Sequence, residues 1–137
     1  MNEDVKQIYL RNYGSEKFFK RSYCKNLIYT EGILDLQMSL KAYWVVDEII
    51  NSLPNIIREY KDTGDGFYII TIAILRENKA VLEVFREGFE GEYYNEHIEV
   101  LKIELFDVEL PVYDYKFYLI LSNLEPIIFT LMLTSEY

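Results

Sequence analysis

One cysteine, one histidine and one tryptophan occur among the 137 residues, and each scarcity removes a class of chemistry. Cys24 alone cannot form an internal disulfide, and as a nucleophile it would need His97 to reach it from the other half of the chain. Its plainer role is a small buried or inert thiol. A metal site built on the lone His97 would lean on Glu96 and Glu99, yet in a strand 97 and 99 share a face while 96 points away. The acidic spacing in "DTGDG" fails the EF-hand pattern, and no GxGxxG, P-loop, GxSxG or HExxH occurs. No cofactor, metal or catalytic residue is expected from motifs, and an enzyme would have to work with carboxylates alone.

Long apolar runs are also missing. The longest, "FYIITIAIL" and "PIIFTLML", fall well short of the twenty or so residues that cross a bilayer as a helix, so no membrane association is expected. The start "MNEDVKQIYL" lacks the basic and apolar regions of a secretory signal, which predicts a cytoplasmic protein. Basic residues are scarce where they would matter for nucleic acid. The formal net charge is -9, and residues 63–137 hold five basic and fourteen acidic side chains against nine and nine in residues 1–62. Phosphate backbones are bound chiefly by lysine and arginine displacing counterions, so direct nucleic-acid binding is not expected.

What is present is a hydrophobic half of the composition and one domain's length, enough to bury a core. The reading is a single α+β domain over residues 1–137: N-terminal helices, then an antiparallel sheet of about five strands with one long amphipathic helix packed on a face. The first thirty residues, rich in tyrosine and phenylalanine, read as a short helix followed by irregular packed chain. Thr30 suits a helix N-cap with Glu31 in the first turn, although a full capping box would want Glu or Gln where Ile33 stands. Apolar residues at 42, 45, 46, 49, 50, 53, 56, 57 and 60 form one helical stripe. Pro54 predicts a kink or a restart of that helix. Strands follow at "FYIITIAIL", "AVLEVF", "HIEVLKIEL", "KFYLILS" and "IIFTLML", with a hairpin at "RENK" and parity switches near Val100 and Phe106 that predict a bulge or bend at each.

Trp44 falls almost opposite the centre of the helical stripe. Either the aromatic N-terminal segment folds over that side and buries the indole, or Trp44 is an exposed anchor for a partner. The stretch "EGFEGEYYNEHIEV", residues 87–100, carries five glutamates, two adjacent tyrosines and no lysine or arginine. Charge on an edge strand discourages open-ended pairing with another sheet, which is one reading. The sharper one is a surface for a basic protein or nucleoprotein complex. Carboxylates two apart on a strand stand about 6.6 Å from each other, and a row of them fits a basic groove that otherwise takes phosphate. Glu90, Glu92, Glu96 and Glu99, with Tyr93, Tyr94 and Trp44, are the contact residues this reading names.

The segments "LIYTEG", "AYWVVDEI" and "LTSEY" together resemble an uncharacterised domain-of-unknown-function family of small bacterial, plasmid and phage proteins. Tyr29, Thr30, Gly32, Tyr43, Trp44, Asp47, Ser135, Glu136 and Tyr137 carry the resemblance, which spans roughly Leu27 to Tyr137. It implies no activity; it implies a mobile-element setting. With the acidic surface, that setting makes the favoured expectation an anti-CRISPR-like inhibitor, blocking a host defence nuclease by occupying its basic nucleic-acid groove or a subunit interface. An accessory structural protein forming a homo-oligomer and an enzyme with a carboxylate-based site are the alternatives.

Overall fold

The computed structural model describes residues 3–137, without the side chain of Glu90. Three helices come first in the fold: α1 (Glu3–Arg11), α2 (Glu31–Leu40) and α3 (Trp44–Thr63). The apolar stripe places α3: Val45, Val46, Ile49, Leu53 and Ile56 are buried while Asn51, Pro54, Asn55 and Arg58 are exposed. The helix neither ends nor restarts at Pro54. Pro54 is exposed, so the amide it lacks is missing on the side of the helix that water reaches. Gly64 ends the helix in the left-handed conformation, φ 76°, with its N–H bonded to the Tyr60 carbonyl, a backbone that glycine adopts without a Cβ penalty.

The five expected strands are all present: β3 (Phe67–Ile74), β4 (Ala80–Glu90), β5 (Tyr93–Leu105), β6 (Tyr115–Leu124) and β7 (Ile127–Leu133). Two more precede them, β1 (Phe18–Phe19) and β2 (Leu27–Thr30), in the segment read as irregular chain. The result is a mixed seven-stranded sheet, ordered β1-β2-β7-β6-β3-β4-β5, and the expectation of about five antiparallel strands is corrected accordingly. Every neighbouring pair is antiparallel except β2 with β7, which run parallel through Leu27–Phe129 and Tyr29–Leu131. The physical reason is chain order: β2 leads into α2, and its partner arrives about a hundred residues later.

One buried cluster unites the helices with a single side of the sheet. Val5 and Ile8 of α1, Ile33 and Leu36 of α2 and the α3 stripe meet Tyr68, Ile70 and Ile72, Leu82 and Val84, Phe117 and Leu119, and Phe129 and Leu131. Each such large apolar side chain contributes about 1.5–3 kcal/mol by leaving water. No helix among the described residues is long and apolar enough to cross a membrane.

Two polar knots tie the helices to the strands. In the first, the Arg21 guanidinium donates to Asp47 (3.3 Å), the Tyr29 hydroxyl (2.9 Å), Gln37 Oε1 (2.6 Å) and the Tyr43 carbonyl (3.0 Å). In the second, the Glu136 carboxylate accepts from the Thr30 hydroxyl (2.6 Å), the Gly32 N–H (3.0 Å) and the Leu133 N–H (3.0 Å). Thr30 is the N-cap of α2, as the sequence predicts, but its bond from Ile33 N is long at 3.4 Å. Glu136 supplies from the end of β7 the carboxylate that the local capping box lacks.

A third fastening joins α1 to α2. Arg11 grips Asp35 with both arms, at 2.6 and 2.7 Å, and Asn12 and Ser39 donate to the same carboxylate at 2.8 Å each. The hydrogen bonds from Arg11, more than any other contact, hold the Asp35 carboxyl down at about 2. A carboxyl depressed in the folded state stabilises above its unfolded value and loses that contribution as pH falls through the folded one. Asp35→Asn is therefore expected to cost about 1 kcal/mol at pH 7, given that Arg11 is half exposed. Urea midpoints of the two proteins should converge between about pH 4 and pH 2; a gap that stays constant there contradicts the assignment.

Candidate partner-binding surface on the sheet edge

The acidic stretch folds into the long hairpin of β4 and β5, with β5 at the sheet edge. Gly91, at φ 65°, opens the two-residue turn that sets Glu90 opposite Tyr93 and Phe89 opposite Tyr94. Val84 pairs with Leu101 and Phe85 with Glu99, so Val100 is the extra residue of a bulge, at the first predicted parity switch. At the second, near Phe106, the chain bends instead of bulging: β5 ends at Leu105 and Asp107, in a bend, takes a left-handed φ of 55°. A further irregularity lies between Arg86 and Gly88, and the Asn95 side chain accepts the His97 N–H at 2.9 Å beside it.

The bulge determines which carboxylates meet. Lys102 pairs with Glu83 and Glu99 with Phe85, so Glu83 and Glu99 come together on the side of the sheet away from the helices. Burial, then the hydrogen bond from Glu99, pushes the Glu83 carboxyl up, with Lys102 pulling it back. Near the turn, Tyr94 donates to Glu87 at 2.9 Å and packs edge-on against Phe89, ring centres 5.5 Å apart. Phe89, Tyr93 and Tyr94 are 69%, 79% and 51% exposed, so three aromatic rings stand in solvent within one hairpin tip.

Glu87, Glu92, Glu96, Glu99 and Glu104 form no ion pair among the described residues. The nearby Arg86 is turned inward, where it pairs with Glu59 and, at 3.2 Å, with Asp65. Gly88 makes room for it: a Cβ there would stand 2.3 Å from Arg86 Nη1. Beside the tip lies a depression of about 420 Å³ whose walls include Phe67, Glu87, Phe89 and Tyr94. The tip thus offers rigid rings for contact area and uncompensated negative charge for attraction.

Of the residues singled out in the sequence, Glu92, Tyr93, Tyr94, Glu96 and Glu99 lie together and exposed on β5 and its turn. The backbone of Glu90 closes β4, but its side chain lies outside the described residues. Trp44 is not part of this surface. It is half-buried at the start of α3, beside residues 103–108 at the far end of β5, roughly 33 Å along the strand from Tyr94 at 3.3 Å per residue. Among the N-terminal aromatics, Tyr9 packs on Tyr113 and Phe19 on Tyr29. Trp44 is half-buried and packed against the core, and the N-terminal segment reaches this side of α3, where Arg21 donates to the Tyr43 carbonyl and to Asp47 and Tyr23 donates to Asp47.

Cys24 is buried in the core cluster, whereas His97 stands exposed with its ring edge-on to Phe85. No group of three histidine, cysteine or acidic side chains among the described residues could hold a metal ion. Sequence reasoning missed Phe89. Its signal was the turn: placing "EGEY" as a two-residue hairpin puts 89 directly across from 94.

A family model described as "Family of unknown function (DUF6876)" matches residues 3–137. No curated protein and no solved structure matches the chain.

Proposed function

Because the chain belongs to this family of unknown function, its role must come from its geometry, and we propose that it is a partner-binding protein that presents the β4–β5 hairpin to a basic protein surface. In its most specific form the proposal is inhibition: the hairpin occupies the groove in which a host defence nuclease complex otherwise holds nucleic acid. One observation carries the reading, the exposed Glu92, Glu96 and Glu99, none of them in an ion pair among the described residues, on the same hairpin as the exposed rings of Phe89, Tyr93 and Tyr94. Carboxylates of one sign at an edge speed encounter with a cationic surface. Tyrosine and phenylalanine then supply contact area at low entropic cost, and such rings dominate interface hot spots.

The competing reading, that the acids only protect an edge strand from pairing, accounts for the charges but not for three exposed rings at the tip, two of them, Phe89 and Tyr94, packed on each other. Reversing Glu92, Glu96 and Glu99 together to lysine separates the two. The triple variant should keep its urea midpoint, since exposed substitutions shift stability by about 0.5 kcal/mol or less. It should lose the basic proteins that the wild type captures from a host lysate, identified by mass spectrometry, with affinity for any one of them down by more than about tenfold. Captured proteins retained equally by the triple variant, or wild-type affinity indifferent to salt, would refute the proposal.

A further inference from the structure

All three helices pack on one side of the sheet, and among the described residues no helix covers the other. An antiparallel sheet covered on one face ordinarily alternates apolar and polar residues. The centre of this open face departs from that rule. Tyr68, Ile70 and Ile72 of β3 point to the helices, so Phe67 and Ile69 point away from them. The register carries the same side outward to Phe85 of β4, Tyr118 and Ile120 of β6 and Met132 of β7. None of these six belongs to the core cluster. Ile69 is nonetheless only 7% exposed, shielded by its neighbours on the open face, while the other five are partly exposed. Tyr137 adds an exposed ring there, edge-on to Phe67 and Tyr118 with centres 5.5 and 5.3 Å away. A contiguous apolar patch of this kind marks an interaction surface.

The register makes the face complementary to itself. β3 lies between β6 and β4; its Ile69 pairs with both Tyr118 and Phe85, and its Thr71 with both Lys116 and Glu83. A two-fold axis along β3, between two copies placed face to face, therefore sets β6 of each over β4 of the other. Ile69 then meets its counterpart, Tyr118 meets Phe85 and Lys116 meets Glu83, and the last two contacts are each made twice. Lys116 forms no ion pair among the described residues, and Glu83 is pressed against Glu99, so each gains an opposite charge. Stacked sheets pack about 10 Å apart, within reach of these side chains. The five strands from β5 to β7, spaced by about 4.8 Å, and the outward positions along β3 give a face roughly 24 Å by 20 Å. Two such faces bury about 1,000 Å², the size a specific interface requires. Chains of net charge -9 repel at a distance, and this face, where Lys102 and Lys116 balance Glu83 and Glu99, is where two of them can meet.

We propose that the open face of the sheet binds a second copy of this chain, forming a two-fold β-sandwich dimer with β3 on its axis. Pairing of β3 with β4 stops at Arg86, so the hairpin tip extends past this face. Neither Lys116 nor Glu83 is among the tip's contacts, and the two proposals can fail separately.

Sedimentation velocity of the full chain at about 100 µM should give twice its 16.4 kDa, with dissociation on dilution toward about 1 µM. Lys116→Glu, which brings like charges together at two places in the dimer, should raise the dissociation constant by more than about tenfold. Adding Glu83→Lys to it should restore the constant to within about threefold of the wild type, because the swapped charges again oppose each other. Both positions are on the open face, and urea midpoints check that each variant is folded. A wild type that stays monomeric at the higher concentration, which would leave the face to a different protein, overturns the proposal. So does a dimer that the single substitution leaves unchanged, or one that the swap fails to restore while the urea midpoint is kept.

Discussion

Arg21→Met is expected to lower the free energy of unfolding by about 3 kcal/mol, the cost of leaving several hydrogen-bonding partners without their donor inside the protein. Arg21 keeps only 18% of its side chain exposed. Its loss deprives Gln37, which is fully buried, of the donor to Oε1 and leaves the Tyr43 carbonyl and the Tyr29 hydroxyl with one partner fewer. Methionine replaces the stem but none of the donors. Lysine should rescue only a minor part, because a single ammonium cannot span acceptors that a planar guanidinium reaches with three nitrogens. Urea unfolding followed by far-ultraviolet dichroism measures the loss; a change below about 1 kcal/mol would show the knot to be solvated. The same substitution carries a second readout. Arg21 holds the carbonyl of Tyr43, the residue just before α3, so the Trp44 environment should loosen and its emission shift to the red even where the protein remains folded.

The helix that carries Trp44 was readable because nine apolar positions between 42 and 60 follow one period, and tertiary packing then uses that stripe as it stands. Pro54 starts no new helix, because its cost depends on which side of the helix it occupies. A proline facing the core strands a carbonyl without water, whereas at an exposed position the carbonyl stays hydrated and the helix continues. The five later strands were readable from alternation and branched residues. The strands β1 and β2 were not, since "FF" and "LIYT" are too short for a period to register and the parallel partner of β2 lies across the whole chain.

The candidate surface divides along the same line. Carboxylates and tyrosines announce themselves by type, so Glu92, Tyr93, Tyr94, Glu96 and Glu99 could be named from the sequence. Which side of the sheet each one joins could not, because the bulge at Val100 reverses alternation: Glu99 and Lys102, three apart, lie on the same side as Glu83. The position of Trp44 off the centre of the stripe was likewise available from a helical wheel. What stands next to it was not, since only the tertiary path of residues 103–108 brings an acidic segment against the start of α3.

Gly32→Ala is expected to destabilise the protein by about 2 kcal/mol and, in a Glu136→Ala background, to stabilise it instead. A Cβ at 32 would lie 2.3 Å from Glu136 Oε1, and the carboxylate, being the end of a flexible side chain, would swing aside rather than distort the backbone. The cost is thus the loss of its bonds to Thr30, Gly32 and Leu133, charge-assisted contacts that together contribute about 2–3 kcal/mol net. With Glu136 already truncated nothing remains to displace. Alanine then brings only its better helix propensity, a gain of up to about 1 kcal/mol over glycine. The double-mutant cycle should return a coupling of about 2–3 kcal/mol between residues 104 positions apart. Additive effects would mean that the carboxylate does not cap α2, and that Gly32 answers to some other constraint.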